Sequence, residues 1–129
     1  MLAAVDPLQD APGDQDNVQV LVSEILGNEN AHGLLVMRSG ERSGERFSLA
    51  LDRVEIGRNP ECTVCLDDVT VSRRHAELRL ENNGYVVTDM GSLNGTYVNQ
   101  ERVEEILLQN GDELQVGKYR MVFFDGANV

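Results

Sequence analysis

Two short apolar segments joined by a tight-turn sequence constrain the fold of this chain more than any other feature. Within His75–Glu81 the residues alternate strictly between apolar and charged, and this period of two is typical of a β-strand with one buried face. The next segment, Asn82-Asn83-Gly84, is a strong turn signal because Asn and Gly tolerate positive φ. Tyr85–Asp89 is therefore predicted to return antiparallel, completing a β-hairpin.

The chain after residue 32 continues this pattern of short apolar segments separated by turn residues. Short runs of Val, Ile, Leu, Tyr and Phe recur between clusters of Gly, Asn, Asp and Ser, and no segment has the period of a useful helix. The further predicted strands are Gly33–Arg38, Glu45–Leu51, Val54–Gly57, Glu113–Val116 and Tyr119–Phe124. Ten or so short strands separated by such turn clusters indicate an all-β sandwich.

A chain of 129 residues has room for one domain of ordinary size. Residues 1–31 are rich in acidic residues, Pro, Gly, Asn and Gln, and we expect a flexible, mostly disordered tail with one weakly ordered apolar patch, Val18–Leu26. A spacer without function is an equal alternative for this tail. Residues 32–129 are predicted to form the folded domain. The start of the chain lacks a basic segment and a long apolar stretch, so we expect a cytoplasmic protein.

The net charge of −11 disfavours nucleic acid and anionic membranes as partners, because phosphate backbones bind basic surfaces. Residues 1–32 contain no basic residue, and all eleven Lys and Arg lie beyond them. Any phosphate site must therefore be a local arginine cluster within an acidic surface.

The two cysteines, Cys62 and Cys65, form a C-x-x-C spacing. Zinc would need two further ligands, and the only histidines are His32 and His75. We expect reduced structural cysteines, with no metal and no cofactor.

Three polar loops interrupt the predicted strands, and binding residues are often found on such loops. They are Gly57–Pro60, Thr70–His75 and Gly91–Asn99. Arg58 and Arg73 offer bidentate, charge-assisted hydrogen bonds to phosphate oxygens. Ser72 adds a neutral hydroxyl donor, and Asn94 can pair with a peptide backbone, with Gly95 allowing a sharp turn beside it. The residues predict a phosphate receptor.

An enzyme is not supported by the same residues. Ser72 and His75 lie three residues apart, but no motif supplies an acid to orient the histidine. The chain also lacks the G-x-S-x-G elbow and the G-x-x-x-x-G-K-[ST] nucleotide loop.

Three motifs in this order resemble the signature of forkhead-associated (FHA) domains. They are Gly57-Arg58, Ser72-x-x-His75 and Asn94-Gly95-Thr96-x-x-Asn99. The resemblance covers roughly residues 33–125 and implies an eleven-stranded β-sandwich of the SMAD/FHA-like type whose loops bind phosphothreonine.

The resemblance also implies roles for individual residues. Arg58 and Ser72 would hold the phosphate with support from Arg73, while Asn94 would bind the peptide backbone. Ser92, in the same loop as Asn94, would also belong to the phosphothreonine-binding residues. Residues that would brace the loops without touching the ligand are Gly57, His75, Gly95, Thr96 and Asn99.

Longer matching segments, Leu66–Glu77 and Gly91–Asn99, resemble the actinobacterial FHA regulators of the glycogen accumulation regulator and oxoglutarate dehydrogenase inhibitor type. This similarity implies a monomeric adaptor or regulator downstream of Ser/Thr protein kinases. Its partner would be a phosphothreonine-containing kinase or substrate, with 2-oxoglutarate dehydrogenase and glutamate dehydrogenase as candidates. A phosphate-independent interaction or inhibitor module, and an FHA domain excised from a larger signalling or transport protein, remain alternatives.

Such regulators are switched by a phosphothreonine in their own N-terminal tail. Here the first threonine is Thr63, and the family's paired tail threonines are absent. We therefore expect the phosphothreonine to come from another molecule.

Overall fold

The computed structural model describes residues 31–126, so the predicted acidic tail lies outside the described residues apart from Ala31, and its boundary stays a prediction. The described part contains eleven β-strands. In chain order they are β1 Gly33–Met37, β2 Arg46–Leu49, β3 Arg53–Gly57, β4 Val64–Cys65, β5 Ala76–Glu81, β6 Gly84–Asp89, β7 Thr96–Val98, β8 Glu101–Val103, β9 Glu105–Leu107, β10 Glu113–Val116 and β11 Tyr119–Asp125. No helix in this range is long and apolar enough to cross a membrane.

The strands form two sheets, which confirms the predicted all-β sandwich. The six-stranded sheet has the order β2-β1-β11-β10-β7-β8, and the five-stranded sheet has the order β4-β3-β5-β6-β9. Strands β3 and β4 pair in parallel, whereas the other recorded pairs are antiparallel.

The predicted hairpin is strands β5 and β6. Glu81 pairs with Gly84, which leaves Asn82 and Asn83 as a two-residue turn. Both asparagines keep negative φ, and the positive φ of this turn, 127°, is that of Gly84. One side chain departs from the alternation: Glu77, assigned by the pattern to solvent, is only 7% exposed. Its carboxylate lies 2.6 Å from Nε of Arg53 on the neighbouring strand, and this ion pair covers it.

Side chains from both sheets fill one continuous core. The rings of Tyr85 and Phe123 meet edge to face with centroids 6.2 Å apart, a favoured aromatic geometry. The Tyr85 hydroxyl donates to the carbonyl of Leu51 at 2.7 Å, and burial raises the pKa of Tyr85 to about 12. This core fixes the two sheets relative to each other and hence the loops at their ends.

Some strand bounds differ from the predictions for local reasons. The predicted loop Gly91–Asn99 contains strand β7, because Thr96 and Val98 both point into the sandwich and are buried. The predicted strand Glu45–Leu51 ends at Leu49, and the Leu51 side chain is exposed. Strands of two or three residues carry too few side chains to show a period.

Candidate functional site

Three connecting loops meet at one end of the sandwich and are joined by hydrogen bonds. They are the β3–β4 loop at 58–63, the β4–β5 loop at 66–75 and the β6–β7 loop at 90–95. The amide of Arg58 donates to the carbonyl of Ser72 at 3.0 Å, and the amide of Asn59 donates to the carbonyl of Arg73 at 3.1 Å. The first two loops thus run side by side.

Gly57 allows this close approach. A Cβ atom at Gly57 would lie 2.2 Å from the carbonyl oxygen of Arg73 and 3.0 Å from the Sγ atom of Cys62. The first distance is far inside van der Waals contact and the obstructing atom is backbone, so a side chain here would push the two loops apart. The predicted bracing role of Gly57 has this steric basis.

His75 connects the β4–β5 loop to the β6–β7 loop. Its side chain is fully buried. The Nδ1 atom accepts a hydrogen bond from the amide of Ser72 at 3.1 Å, and Nε2 lies 2.8 Å from the carbonyl oxygen of Gly95. An amide donor and a carbonyl acceptor together require neutral imidazole with its proton on Nε2. Both ring nitrogens are therefore occupied by structural bonds.

Ser72 is tied to the third loop through its hydroxyl oxygen. That oxygen accepts a hydrogen bond from the amide of Leu93 at 3.0 Å. The hydroxyl proton stays available to an acceptor outside the loops, since a serine hydroxyl can accept and donate at the same time. The hydroxyl is thus held in place as a donor.

Asn94 spans the same two loops on their outer side. Its Nδ2 atom donates to the carbonyl of Thr70 at 2.9 Å, and the adjacent Gly95 has a φ of 90°, a backbone conformation that favours glycine. The Asn94 side chain is otherwise exposed, which leaves its carbonyl oxygen open to a ligand.

Asp89 organises the β6–β7 loop, and sequence reasoning did not single it out. Its carboxylate accepts four hydrogen bonds: from the hydroxyls of Ser92 at 2.6 Å and Thr96 at 2.7 Å, and from the amides of Gly91 at 3.0 Å and Ser92 at 3.1 Å. Burial opposes ionisation of Asp89, but these donors outweigh it and hold the pKa of the carboxyl below its usual value. The sequence did contain a signal for this role, because Asp89 stands two residues before Gly91-Ser92. An aspartate in that position commonly accepts hydrogen bonds from the backbone amides of the turn that follows it.

Ser92 and Thr96 both serve this network. The Ser92 hydroxyl, with the residue 8% exposed, donates to Asp89 and accepts from the amide of Gly95 at 2.8 Å. Thr96 is fully buried. Both hydroxyls thus have partners within the loop.

Asn99 acts at the turn between β7 and β8. Its side chain donates to the carboxylate of Asp112 at 3.0 Å and accepts from the amide of Glu113 at 3.0 Å, while its own φ is 52°. It fastens this turn to the start of β10, and neither of these side-chain hydrogen bonds reaches one of the three loops.

Arg58 and Arg73 supply the positive charge at this end of the sandwich. Both are exposed, and neither forms an ion pair with a residue in 31–126. They border a cleft of about 370 Å³. The other lining residues are Asn59, Pro60, Cys65 and Asp67. By contrast, neighbouring Arg74 faces Glu55 at 3.9 Å.

The two cysteines are free thiols with structural contacts. Cys62 is buried and its Sγ donates to the carbonyl of Arg73 at 3.5 Å, and burial raises the pKa of this thiol. Cys65 Sγ lies 3.7 Å from the carbonyl of Arg58. Within residues 31–126 no cluster of His, Cys, Asp and Glu has a metal-binding arrangement.

Sequence comparison decides the family. The FHA domain profile matches residues 54–117. The chain is 51% identical over 117 residues to the glycogen accumulation regulator GarA of Mycobacterium tuberculosis, a match that covers 91% of this chain and 72% of that protein. The chain belongs to the FHA domain family. This membership confirms the resemblance inferred from the three motifs.

Further relatives agree with the assignment. The oxoglutarate dehydrogenase inhibitor of Corynebacterium jeikeium is 50% identical over 103 residues, covering 80% of this FHA protein and 72% of the inhibitor. A structure solved in a study of phosphothreonine-dependent FHA domain interactions superposes with a TM-score of 0.66 at 31% identity, covering 72% of this chain and 95% of that one. These relatives are binding regulators, so the expectation that this chain is not an enzyme is confirmed by its family.

Proposed function

We propose that this FHA domain binds phosphothreonine peptides at the junction of its three loops and thereby controls a partner enzyme. The observation that carries the proposal is the pair of exposed arginines, Arg58 and Arg73, which have no carboxylate partner within residues 31–126 and lie on the two loops that the amide of Arg58 and the carbonyl of Ser72 join. In a chain of net charge −11, unpaired cations at one end of the fold favour a discrete anion over a polyanion.

The phosphate receives complementary donors from two loops. Arg58 offers a planar fork of N–H groups that suits two phosphate oxygens, and Arg73 adds a second positive charge. Ser72 donates its hydroxyl proton, which is aimed by the hydrogen bond from Leu93. Because the Ser72 hydroxyl is held before the ligand arrives, ordering this group costs little entropy on binding.

The peptide backbone is recognised by Asn94. Its unused carbonyl oxygen accepts a backbone amide of the ligand, while its Nδ2 stays on the carbonyl of Thr70. Ser92 contributes from inside the same loop, since its hydroxyl holds the amide of Gly95 in position. Gly57, His75 and Thr96 maintain the loops through the contacts described above, whereas Asn99 acts on the neighbouring β7–β8 turn.

The relatives indicate the biological setting. One relative is named for glycogen accumulation and another for inhibition of oxoglutarate dehydrogenase. We infer that this protein acts in the cytoplasm as a monomer, downstream of a Ser/Thr protein kinase, on an enzyme at the 2-oxoglutarate node such as 2-oxoglutarate dehydrogenase or glutamate dehydrogenase. We take the ligand to be a phosphothreonine of another molecule.

Titration of the purified chain with a phosphothreonine peptide tests the proposal. Arg58→Ala should weaken binding at least about tenfold, because a charge-assisted hydrogen bond contributes about 1.5–3 kcal/mol. Arg74→Ala is the matched control, because Arg74 is also exposed and lies on the neighbouring loop but faces Glu55. The unphosphorylated peptide should not bind. Equal affinity of the two peptides would instead identify a phosphate-independent interaction module.

A further inference from the structure

The outer face of the six-stranded sheet, which points away from the core, carries an apolar patch. Strand register pairs Leu34 with Phe124 and Val36 with Val122 across β1 and β11. Directly opposed residues project from the same face of a sheet, whereas Leu35, between Leu34 and Val36, belongs to the core between the sheets. The outer patch therefore consists of Leu34, Val36, Val122 and Phe124.

Leu34 is completely buried although it projects from the outer face. Its exposed fraction is 0%, and the core cluster between the sheets does not include it. Its neighbours across the sheet are Ser48, which is exposed, and Phe124, which is half-buried. All eleven strands of residues 31–126 belong to the two sheets, so none of these strands covers Leu34. Because an apolar sheet face is buried by packing against another element, a further segment must lie over this one.

The apolar segment 18–26, which lies outside the described residues, has a matching stripe. Its apolar residues follow the spacing i, i+3, i+4, i+7, i+8, which is typical of an amphipathic helix. Asn17 before the segment and Gly27 after it favour the start and the end of a helix. Val20 would lie on the opposite side of such a helix. The residues of the stripe are Val18, Leu21, Val22, Ile25 and Leu26.

The chain connects this segment directly to the outer patch. Residues 27–32 separate it from the start of β1 at Gly33, and six extended residues span up to about 20 Å. The point from which this linker leaves is fixed, because the amide of His32 donates to Leu49 and its carbonyl accepts from Gly126. A nine-residue helix is about 14 Å long, so the segment can fold back along β1 over the patch.

The charge of the outer face favours the tail over a second copy of the chain. Arg46 on β2 and Arg120 on β11 flank the patch, are exposed and form no ion pair among the described residues. The carboxylate of Glu113, also on this face, is engaged by Arg38 at 3.2 Å. Residues 1–30 contain six acidic residues and no basic one. They would bring negative charge to the two free arginines, whereas two copies face to face would oppose like charges.

We propose that residues 18–26 dock as an amphipathic helix on the outer patch, with their apolar stripe against Leu34 and its neighbours. This makes the tail part of the folded protein and closes the outer patch to other partners. The docking is separate from the proposed phosphothreonine binding, because the patch lies on a sheet face and the phosphate-binding loops lie at one end of the sandwich.

Hydrogen exchange measured by NMR on the full chain tests the docking. The amides of residues 18–26 should exchange at least about tenfold more slowly than those of an unstructured chain. Ile25→Asp places a charge in the stripe and should return them to the rate of an unstructured chain. Val20→Asp is the matched control, because it adds the same charge to the same segment on the side away from the patch, and it should leave the protection unchanged.

Isosteric substitutions test the outer patch from its own side. Val36→Thr combined with Val122→Thr keeps β-branched side chains, which suit strands, but adds two hydroxyls to the patch. Protection of residues 18–26 should fall at least about threefold, since apolar contact is lost. Val86→Thr is the control, because Val86 is also half-buried but projects from the outer face of the other sheet, opposite Arg79. Protected strand amides in each variant show that the sandwich is folded.

The proposal is overturned if residues 18–26 of the wild-type chain exchange like an unstructured chain. It is also overturned if Val20→Asp removes the protection as fully as Ile25→Asp, or if the double substitution at Val36 and Val122 has no effect. Protection that increases with protein concentration, together with dimers in sedimentation, would show instead that a second copy covers the patch. Protection that is independent of concentration and sensitive to both sides of the contact supports the proposal.

Discussion

The Nε2 atom of His75 donates a hydrogen bond to the carbonyl oxygen of Gly95 at 2.8 Å, across twenty residues of sequence. The same ring accepts the amide of Ser72. One buried side chain therefore sets the spacing between the β4–β5 loop and the β6–β7 loop, which we propose contact the phosphate and the peptide. We expect binding at this end of the fold to depend on residues that do not touch the ligand.

Replacing His75 by alanine tests this dependence. The change leaves the Gly95 carbonyl and the Ser72 amide without their partner and opens a cavity. The free energy of unfolding, measured by urea denaturation, should therefore fall by about 2–4 kcal/mol. Phosphopeptide affinity should fall as well. Leu93→Ala is the control for stability, because that side chain is 86% exposed and only its backbone bonds Ser72. Unchanged stability of His75→Ala would contradict the bracing role.

Gly57→Ala should push the β3–β4 loop and the β4–β5 loop apart without removing any polar group. The added Cβ would lie 2.2 Å from the carbonyl oxygen of Arg73, so the backbone must move, at a cost of about 1–3 kcal/mol. Because Arg58 and Ser72 sit on the loops that move, phosphopeptide affinity should decrease in isothermal titration. Ser48→Ala on strand β2 is the control, as an exposed residue outside the site. Wild-type affinity in Gly57→Ala would show that the close approach is dispensable.

The Asp89 carboxylate should make the β6–β7 loop sensitive to acid. Its pKa in the folded protein is lowered from the ordinary value of 3.8. The stabilisation from its ionised form is therefore fully present above about pH 4 and is lost as the pH falls through the lowered folded pKa. Asp89→Asn should reduce the free energy of unfolding near neutral pH by about 1.5–3 kcal/mol.

The pH dependence of that difference is the decisive measurement. Urea unfolding of wild type and Asp89→Asn, followed between neutral and strongly acidic pH, should show the two stabilities converging at the acidic end. A difference that stays constant over the whole range would mean that the charge of Asp89 is not what organises Ser92 and Thr96.

The proposed phosphate site at Arg58, Ser72 and Arg73 should bind phosphothreonine more tightly than phosphoserine. Burying one additional methyl group contributes about 0.8 kcal/mol, roughly a fourfold difference in Kd, and more where the methyl fills a shaped cavity. Matched peptides that differ only in this methyl, titrated into the wild-type chain, measure the difference. Equal affinities would show that the methyl stays in solvent.

Local patterns were sufficient to predict the sandwich and several of its strands. The hairpin at Asn82-Asn83 was predictable because alternation and turn chemistry act between neighbours in sequence. The burial of Glu77 was not, since it depends on Arg53 from a strand more than twenty residues away. Asp89 was missed although three of its four donors come from Gly91 and Ser92, directly after it; only the Thr96 hydroxyl, seven residues away, depends on the closure of the loop.

The sequence by itself determined which chemical groups are present: two arginines, a serine and an asparagine on loops, in a signature that places the chain among FHA domains. Only the tertiary structure decided which arginines are free, because ion pairing depends on distances between strands that are remote in sequence. Among residues 31–126, Arg58 and Arg73 have no ion-pair partner, whereas Arg74 faces Glu55. The tertiary structure also aligned Leu34 with Phe124 and Val36 with Val122 through the register of β1 and β11, a relationship that no local pattern encodes.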